Sequence, residues 1–198
     1  DRFIVATKCC GQMGPAPWQR GTSRKHVLAA VDASLARLGT DYVDLYQAHQ
    51  FDPDTPLDET VEAFDAVVRS GKARYIGVSN YQAYRVARAL GRSEALGCVR
   101  LVSVQPRYNL LFRQIERELL PLCLEEGLAV IPYNPLAGGL LTGKHTRSAP
   151  PPDGSRFTLG TAATTYVERY WKDREFTTVD AVVALAKEHG LEPATLAL

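Results

Sequence analysis

The stretch LAVIPYNPLAGGLLTGK, residues 128–144, opens with an apolar run, Leu128-Ala129-Val130-Ile131, too short for a helix and branched enough for a buried strand. Pro132 ends that run, because proline has no N–H to give to a ladder. Tyr133, Asn134 and Pro135 follow, then Leu136, Ala137, Gly138 and Gly139, and finally Lys144. Glycines after a strand let backbone N–H groups approach a ligand, and the lysine adds positive charge nearby. Tyr133 offers a flat face for ring stacking. Two readings stand level on this stretch alone: a cradle for an aromatic, phosphate-bearing ligand, or a glycine-rich connector with a surface lysine.

Working outward, the same strand-then-polar-end pattern recurs. RFIVAT (2–7) reads as a strand with Lys8 at its end. The loop that follows, rich in glycine and proline, carries Trp18, which reads as surface packing rather than a pocket lid. Ser23 begins a helix with Val27, Val31, Leu35 and Leu38 on one face, and Gly39 stops it. VDLYQA (43–48) is the next strand, with His49 at its end. Thr55-Pro56-Leu57-Asp58 reads as a helix start capped by the threonine hydroxyl. Leu57, Val61, Phe64 and Val68 mark its face and Gly71 its close.

ARYIGV (73–78) is a third strand, delivering Ser79 and Asn80, and a helix over 81–90 comes after it. Residues 101–104 form a fourth strand, ending at Gln105 before Pro106, and 113–126 a helix with Ile115, Leu119 and Leu122 inward. The opening stretch supplies the fifth strand. Beyond it, 148–157 reads as a long loop, 178–189 as a helix stopped by Gly190, and Pro193 as the start of another.

Strands that alternate with helices imply parallel β/α units with right-handed crossovers. Five strand ends carry distinctive groups: Lys8, His49, Ser79-Asn80, Gln105 and Tyr133-Asn134. A β/α barrel gathers such ends at one mouth, where its active site lies. A doubly wound sheet also binds ligands at that edge, but more often with a GxGxxG after a strand, and none occurs here. The expected fold is therefore α/β, a TIM-type (β/α)8 barrel, read as one domain over 1–198.

Composition excludes several classes. With 198 residues and a net charge of +1, the chain is long enough for a sizeable core and carries no charge excess for nucleic acid or membrane surfaces. No apolar run nears the ~20 residues of a membrane span. Cys9, Cys10, Cys98 and Cys123 have neither metal spacing nor disulfide density, which points to reduced thiols in a cytoplasmic protein. Nothing in the sequence sets an oligomeric state.

FIVATK ending in Lys8, DLYQAH ending in His49, YIGVSN with Ser79-Asn80, VQPRYN with Gln105, and PYNPLAGGLLTGK with Lys144 together resemble the aldo-keto reductases. The best match is the branch whose GLLTGK loop precedes a GSRF-like segment, here Gly154-Ser155-Arg156-Phe157. The resemblance implies a (β/α)8 barrel that reduces a small aldehyde or ketone with NADPH. It matches Lys8 and His49 to two members of the family's Asp, Tyr, Lys and His tetrad. It further implies that Ser79, Asn80 and Gln105 hold the nicotinamide carboxamide and that Tyr133 stacks on the nicotinamide. Asn134, Pro135, Leu136, Ala137, Gly138, Gly139, Lys144 and Arg156 would take the pyrophosphate.

A phenol of pKa about 10 is a poor acid at pH 7 unless a cation lowers it, the part the resemblance gives Lys8. In the family the catalytic Asp and Tyr precede the lysine strand. The chain is accordingly expected to lack the first two and the last β/α units, and to be inactive alone. Two other readings are carried. One is a non-catalytic nicotinamide-binding subunit resembling the potassium-channel β-subunits, which have asparagine where this chain has His49. The other is a barrel lyase or aldolase that forms a Schiff base through Lys8.

Overall fold

The computed structural model describes residues 3–198. They form two compact units: the residues up to Pro106 together with Ile115–Ile131, and Arg107–Gln114 together with Pro132–Leu198.

The first unit is built on a parallel sheet of β1 (Ala6–Cys9), β2 (Val43–Ala48), β3 (Ala73–Ser79), β4 (Ser103–Gln105) and β5 (Ala129–Val130), in that spatial order. A doubly wound sheet would reverse direction at a switch point. An unbroken sequential order is that of consecutive strands in a (β/α)8 barrel, so the expected fold class holds. Helices α1 (Arg24–Leu38), α2 (Leu57–Arg69), α3 (Ala83–Leu96) and α4 (Leu119–Glu126) connect the strands.

Register and the period of two decide what each sheet face carries. Cys9, Ala48, Val78 and Val104 share a row, with Tyr46 and Ile76 two residues back, and this face packs on Val27, Val31, Phe64, Val67, Val86 and Leu90 of the helices. Each buried valine, leucine, isoleucine or phenylalanine there contributes roughly 1.5–3 kcal/mol by leaving water. The other face is polar: Lys8, Gln47, Gly77 and Ser103 form one row, with Ser79 paired to Gln105 beyond it. Gly77 is required there, because a Cβ on it would stand 2.3 Å from Ser103 Oγ.

Element edges differ from the sequence expectation for identifiable reasons. The expected first strand, whose Arg2 lies outside the described residues, begins only at Ala6, so Lys8 falls within β1. β4 ends at Gln105 as expected but begins only at Ser103. Thr55 does not cap α2: its hydroxyl donates to Asp52 Oδ2 at 2.7 Å, and the helix starts at Leu57 behind Pro56. Leu38 is exposed, while Ser34 is buried with its hydroxyl donating to the Ala30 carbonyl. The helix expected over 113–126 is a single 3-10 turn, Gln114–Glu116, and then α4. Pro121 clashes with a carbonyl four residues back, so it is tolerated only in a first turn. α3 instead runs through Gly91 as far as Leu96.

In the second unit Ala137, Leu140, Leu141, Phe157, Tyr170, Phe176, Val179 and Val182 form the core. α6 (Asp173–Glu188) begins five residues before the expected start at 178, with Asp173 and Glu175 complementing its N-terminal dipole. α7 (Pro193–Ala197) has proline in its first turn, as expected. α5 (Ala163–Tyr170, ATTYVERY) has no counterpart in the sequence reading, because threonine, valine and tyrosine are weak helix formers. Among the described residues no helix is long and apolar enough to cross a membrane.

Candidate active site

Lys8 and His49 come together at the ends of neighbouring strands. Cys9 pairs with Ala48, and the His49 N–H extends that ladder by donating to the Cys9 carbonyl at 2.9 Å. Both residues line a cavity of about 330 Å³, which Cys9, Cys10 and Trp18 also border and which is walled by His26, Ala30 and Ala33 of α1. The His49 imidazole is held below its ordinary pKa, first by partial burial and then by the positive charge of Lys8. A neutral imidazole beside a fixed cation can orient a carbonyl oxygen or relay a proton.

Trp18 is exposed, as surface packing would have it, and also borders this cavity, with Lys25 Nζ 4.1 Å from its ring centroid. Its loop is pinned by Asp52, whose carboxylate accepts from the Thr22 N–H at 2.7 Å, the Thr55 hydroxyl at 2.7 Å and the Asp54 N–H at 3.0 Å. Burial alone would raise that carboxyl, but these bonds outweigh it and hold the pKa below the usual range.

The next group adjoins the first. Ser79 Oγ donates to the Gln105 carbonyl at 2.8 Å, and the Asn80 N–H donates to the same oxygen at 3.2 Å. Asn80 adopts φ 57, a left-handed conformation that asparagine tolerates better than most residues. Its Nδ2 then reaches the His49 carbonyl at 2.9 Å and Ser79 Oγ at 3.1 Å. Gln105 Oε1 is buried without a partner among the described residues. An unpaired acceptor beside amide and hydroxyl groups fits a ligand carboxamide, which supplies two N–H donors and one acceptor.

In the second unit Tyr133 forms a parallel bridge with Arg107, and its carbonyl accepts from the Tyr108 N–H at 3.2 Å. Asn134 (φ 61), Ala137 (φ 50), Gly138 (φ 72) and Gly139 (φ 100) all have left-handed backbones, so the chain coils tightly beyond Pro135 and Leu136. Lys144 is folded against Gly139: its Cε and Nζ lie 3.4 and 3.6 Å from where a Cβ there would stand. The Arg156 guanidinium lies over the Tyr166 ring, 5.3 Å from its centroid.

Several contributors carried no legible signal. Asn109, inside the VQPRYN motif, donates through Nδ2 to the Asn134 carbonyl at 2.9 Å and to the Tyr170 hydroxyl at 3.1 Å. Tyr166 donates to Asn134 Oδ1 at 2.6 Å. His145 is buried edge-on to Phe157 and Trp171, its pKa lowered first by burial and then by Lys144. Among the described residues no cluster of three or more His, Cys, Asp or Glu could hold a metal, and all four cysteines are free.

A family model described as the Aldo/keto reductase family matches residues 1–198. The chain is 38% identical over 192 residues to a protein named probable voltage-gated potassium channel subunit beta from Arabidopsis thaliana, covering 96% of this chain and 55% of that protein. It is 40% identical over 151 residues to L-glyceraldehyde 3-phosphate reductase of Escherichia coli K12, covering 76% and 43%. It is 37% identical over 182 residues to versiconal hemiacetal acetate reductase of Aspergillus parasiticus, covering 90% and 50%. The chain thus spans about half the length of the curated relatives it matches.

Proposed function

The chain belongs to the aldo/keto reductase family, and from that premise we propose that the whole protein reduces an aldehyde or ketone to an alcohol with NADPH. The observation that carries this reading is that Lys8 and His49, on the neighbouring strands β1 and β2, line one cavity and that the lysine charge acts on the imidazole. When bound, NADPH supplies the hydride. Lys8 lowers the pKa of the proton-donating phenol that the family carries ahead of the lysine strand. His49, neutral at pH 7, directs the substrate oxygen. Ser79, Asn80 and Gln105 hold the carboxamide, and the unpaired Gln105 Oε1 supports this assignment. Tyr133 stacks on the nicotinamide. Asn134, Pro135, Leu136, Ala137, Gly138 and Gly139, with Lys144 and Arg156, contact the phosphates. The four free thiols suit the reducing cytoplasm.

The test is NADPH oxidation by the full-length protein with a simple aldehyde. Wild type should turn over, and Lys8→Met should lose at least about a hundredfold in kcat while still binding NADPH. Turnover retained in Lys8→Met would remove the lysine from the chemistry. One relative's name favours a second reading, a non-catalytic nicotinamide-binding channel subunit. NADPH binding without turnover of any carbonyl by wild type would select it.

A further inference from the structure

One side chain with no assigned role touches three of the residues given to the phosphates. Tyr166 on α5 donates its hydroxyl to Asn134 Oδ1 at 2.6 Å. Its ring occupies the space over Gly138, where a Cβ would stand 2.7 Å from Tyr166 Cδ1. The Arg156 guanidinium lies over that same ring at 5.3 Å. Phe157, the neighbour of Arg156, meets it edge-on at 6.3 Å. One turn along α5, the Tyr170 hydroxyl accepts from Asn109 Nδ2, which also donates to the Asn134 carbonyl. The Asn134 side chain is therefore held directly from α5, and its backbone through Asn109, which α5 contacts at Tyr170.

The bond to Oδ1 fixes the direction of the rest of the amide. Its Nδ2 is buried and without a partner among the described residues. A buried N–H donor is expensive to leave unpaired, so an unsatisfied one calls for an acceptor. The guanidinium is meanwhile held by the π-face of Tyr166, which leaves its N–H edge free for an anion. An aromatic that merely covered the core would need the ring and not the hydroxyl.

We propose that Tyr166 is a positioning residue for the pyrophosphate of the dinucleotide: it aims Asn134 Nδ2 and Arg156 at the phosphate oxygens. The inference rests on the cofactor reading above. It predicts that the hydroxyl matters to the diphosphate and not to the hydride step.

The experiment titrates NADPH into the full-length protein and its Tyr166→Phe variant by nicotinamide fluorescence, with melting temperature, KM and kcat measured beside it. Phenylalanine keeps the stacking and the cover over Gly138 and loses only the hydrogen bond. Roughly fivefold weaker binding is expected, the scale of one net hydrogen bond. KM for NADPH should rise in step with kcat unchanged, and the melting temperature should fall by only about a few degrees, the cost of one hydrogen bond. In wild type, the Asn134 side-chain amide resonances should shift when NADPH is added, and Tyr166→Phe should displace them before any ligand is present. Equal affinity in the two proteins, or an Asn134 amide indifferent to NADPH that does bind, would overturn the positioning role alone. Wild type that fails to bind NADPH would overturn the cofactor reading and this inference with it.

Discussion

The His49 N–H donates to the Cys9 carbonyl across 2.9 Å, one step beyond the last paired residues of β1 and β2. That bond places the histidine two residues beyond Gln47, the register partner of Lys8, and the lysine charge is one of the two forces holding the imidazole pKa down.

Lys8→Met should therefore raise the His49 pKa toward its ordinary value, leaving only the part that burial imposes. A ¹⁵N titration of the imidazole in wild type and variant measures this directly. Because the charge disfavours imidazolium, its removal can shift the pKa only upward. An unchanged or lower value would separate the two residues.

Asp52 accepts four hydrogen bonds: two, from the Thr22 N–H and hydroxyl, tie the 10–22 loop, and two, from Asp54 and Thr55, order the residues just after it. Asp52→Asn should cost about 2 kcal/mol, since bonds to an ionised acceptor are the stronger kind. The sign of the pH dependence follows from the lowered carboxyl pKa. The folded state binds the proton less readily than the unfolded chain, so this stability is fully present above about pH 4 and is lost as pH falls through the lower folded value. Urea melts of both proteins at pH 7 and pH 3 should show the gap closing at the acid end.

Gly77→Ala should destabilise the protein by about 1–3 kcal/mol, the scale of an overpacked site. The new Cβ would meet Ser103 Oγ at 2.3 Å and the Ser103 backbone carbonyl at 2.9 Å. Since one of these contacts is backbone, a companion Ser103→Gly change should recover only part of the loss. Chemical denaturation of the single and double variants tests it, and full recovery would contradict the backbone clash.

Tyr133→Ala should weaken NADPH binding by about tenfold, the order of a lost stacking contact. Isothermal titration compares the variant with wild type. Equal affinity would take Tyr133 out of the cofactor site.

Much of the candidate site was legible because its residues are tied to local pattern. A strand must end, and the residue that follows it at the mouth is set by sequence position alone. His49 after VDLYQA and Ser79-Asn80 after ARYIGV could be placed without knowing what lay beside them. Trp18 could not, because an aromatic in a glycine- and proline-rich loop has no periodicity to orient it. The bonds from Asp52 that fix that loop come from a residue 30 positions away.

By itself, then, the sequence determined the order of the strands and of every helix but α5, the residues at the strand ends and the family they belong to, since periodicity, breakers and motif spacing are short-range. The tertiary structure decided which faces those residues share and what supports them. α5 forms despite weak propensity because Tyr166 and Tyr170 bury against Phe157 and each other. Its tyrosines reach Asn134 and Asn109 across 32 and 61 residues of chain, contacts that exist only once distant segments pack.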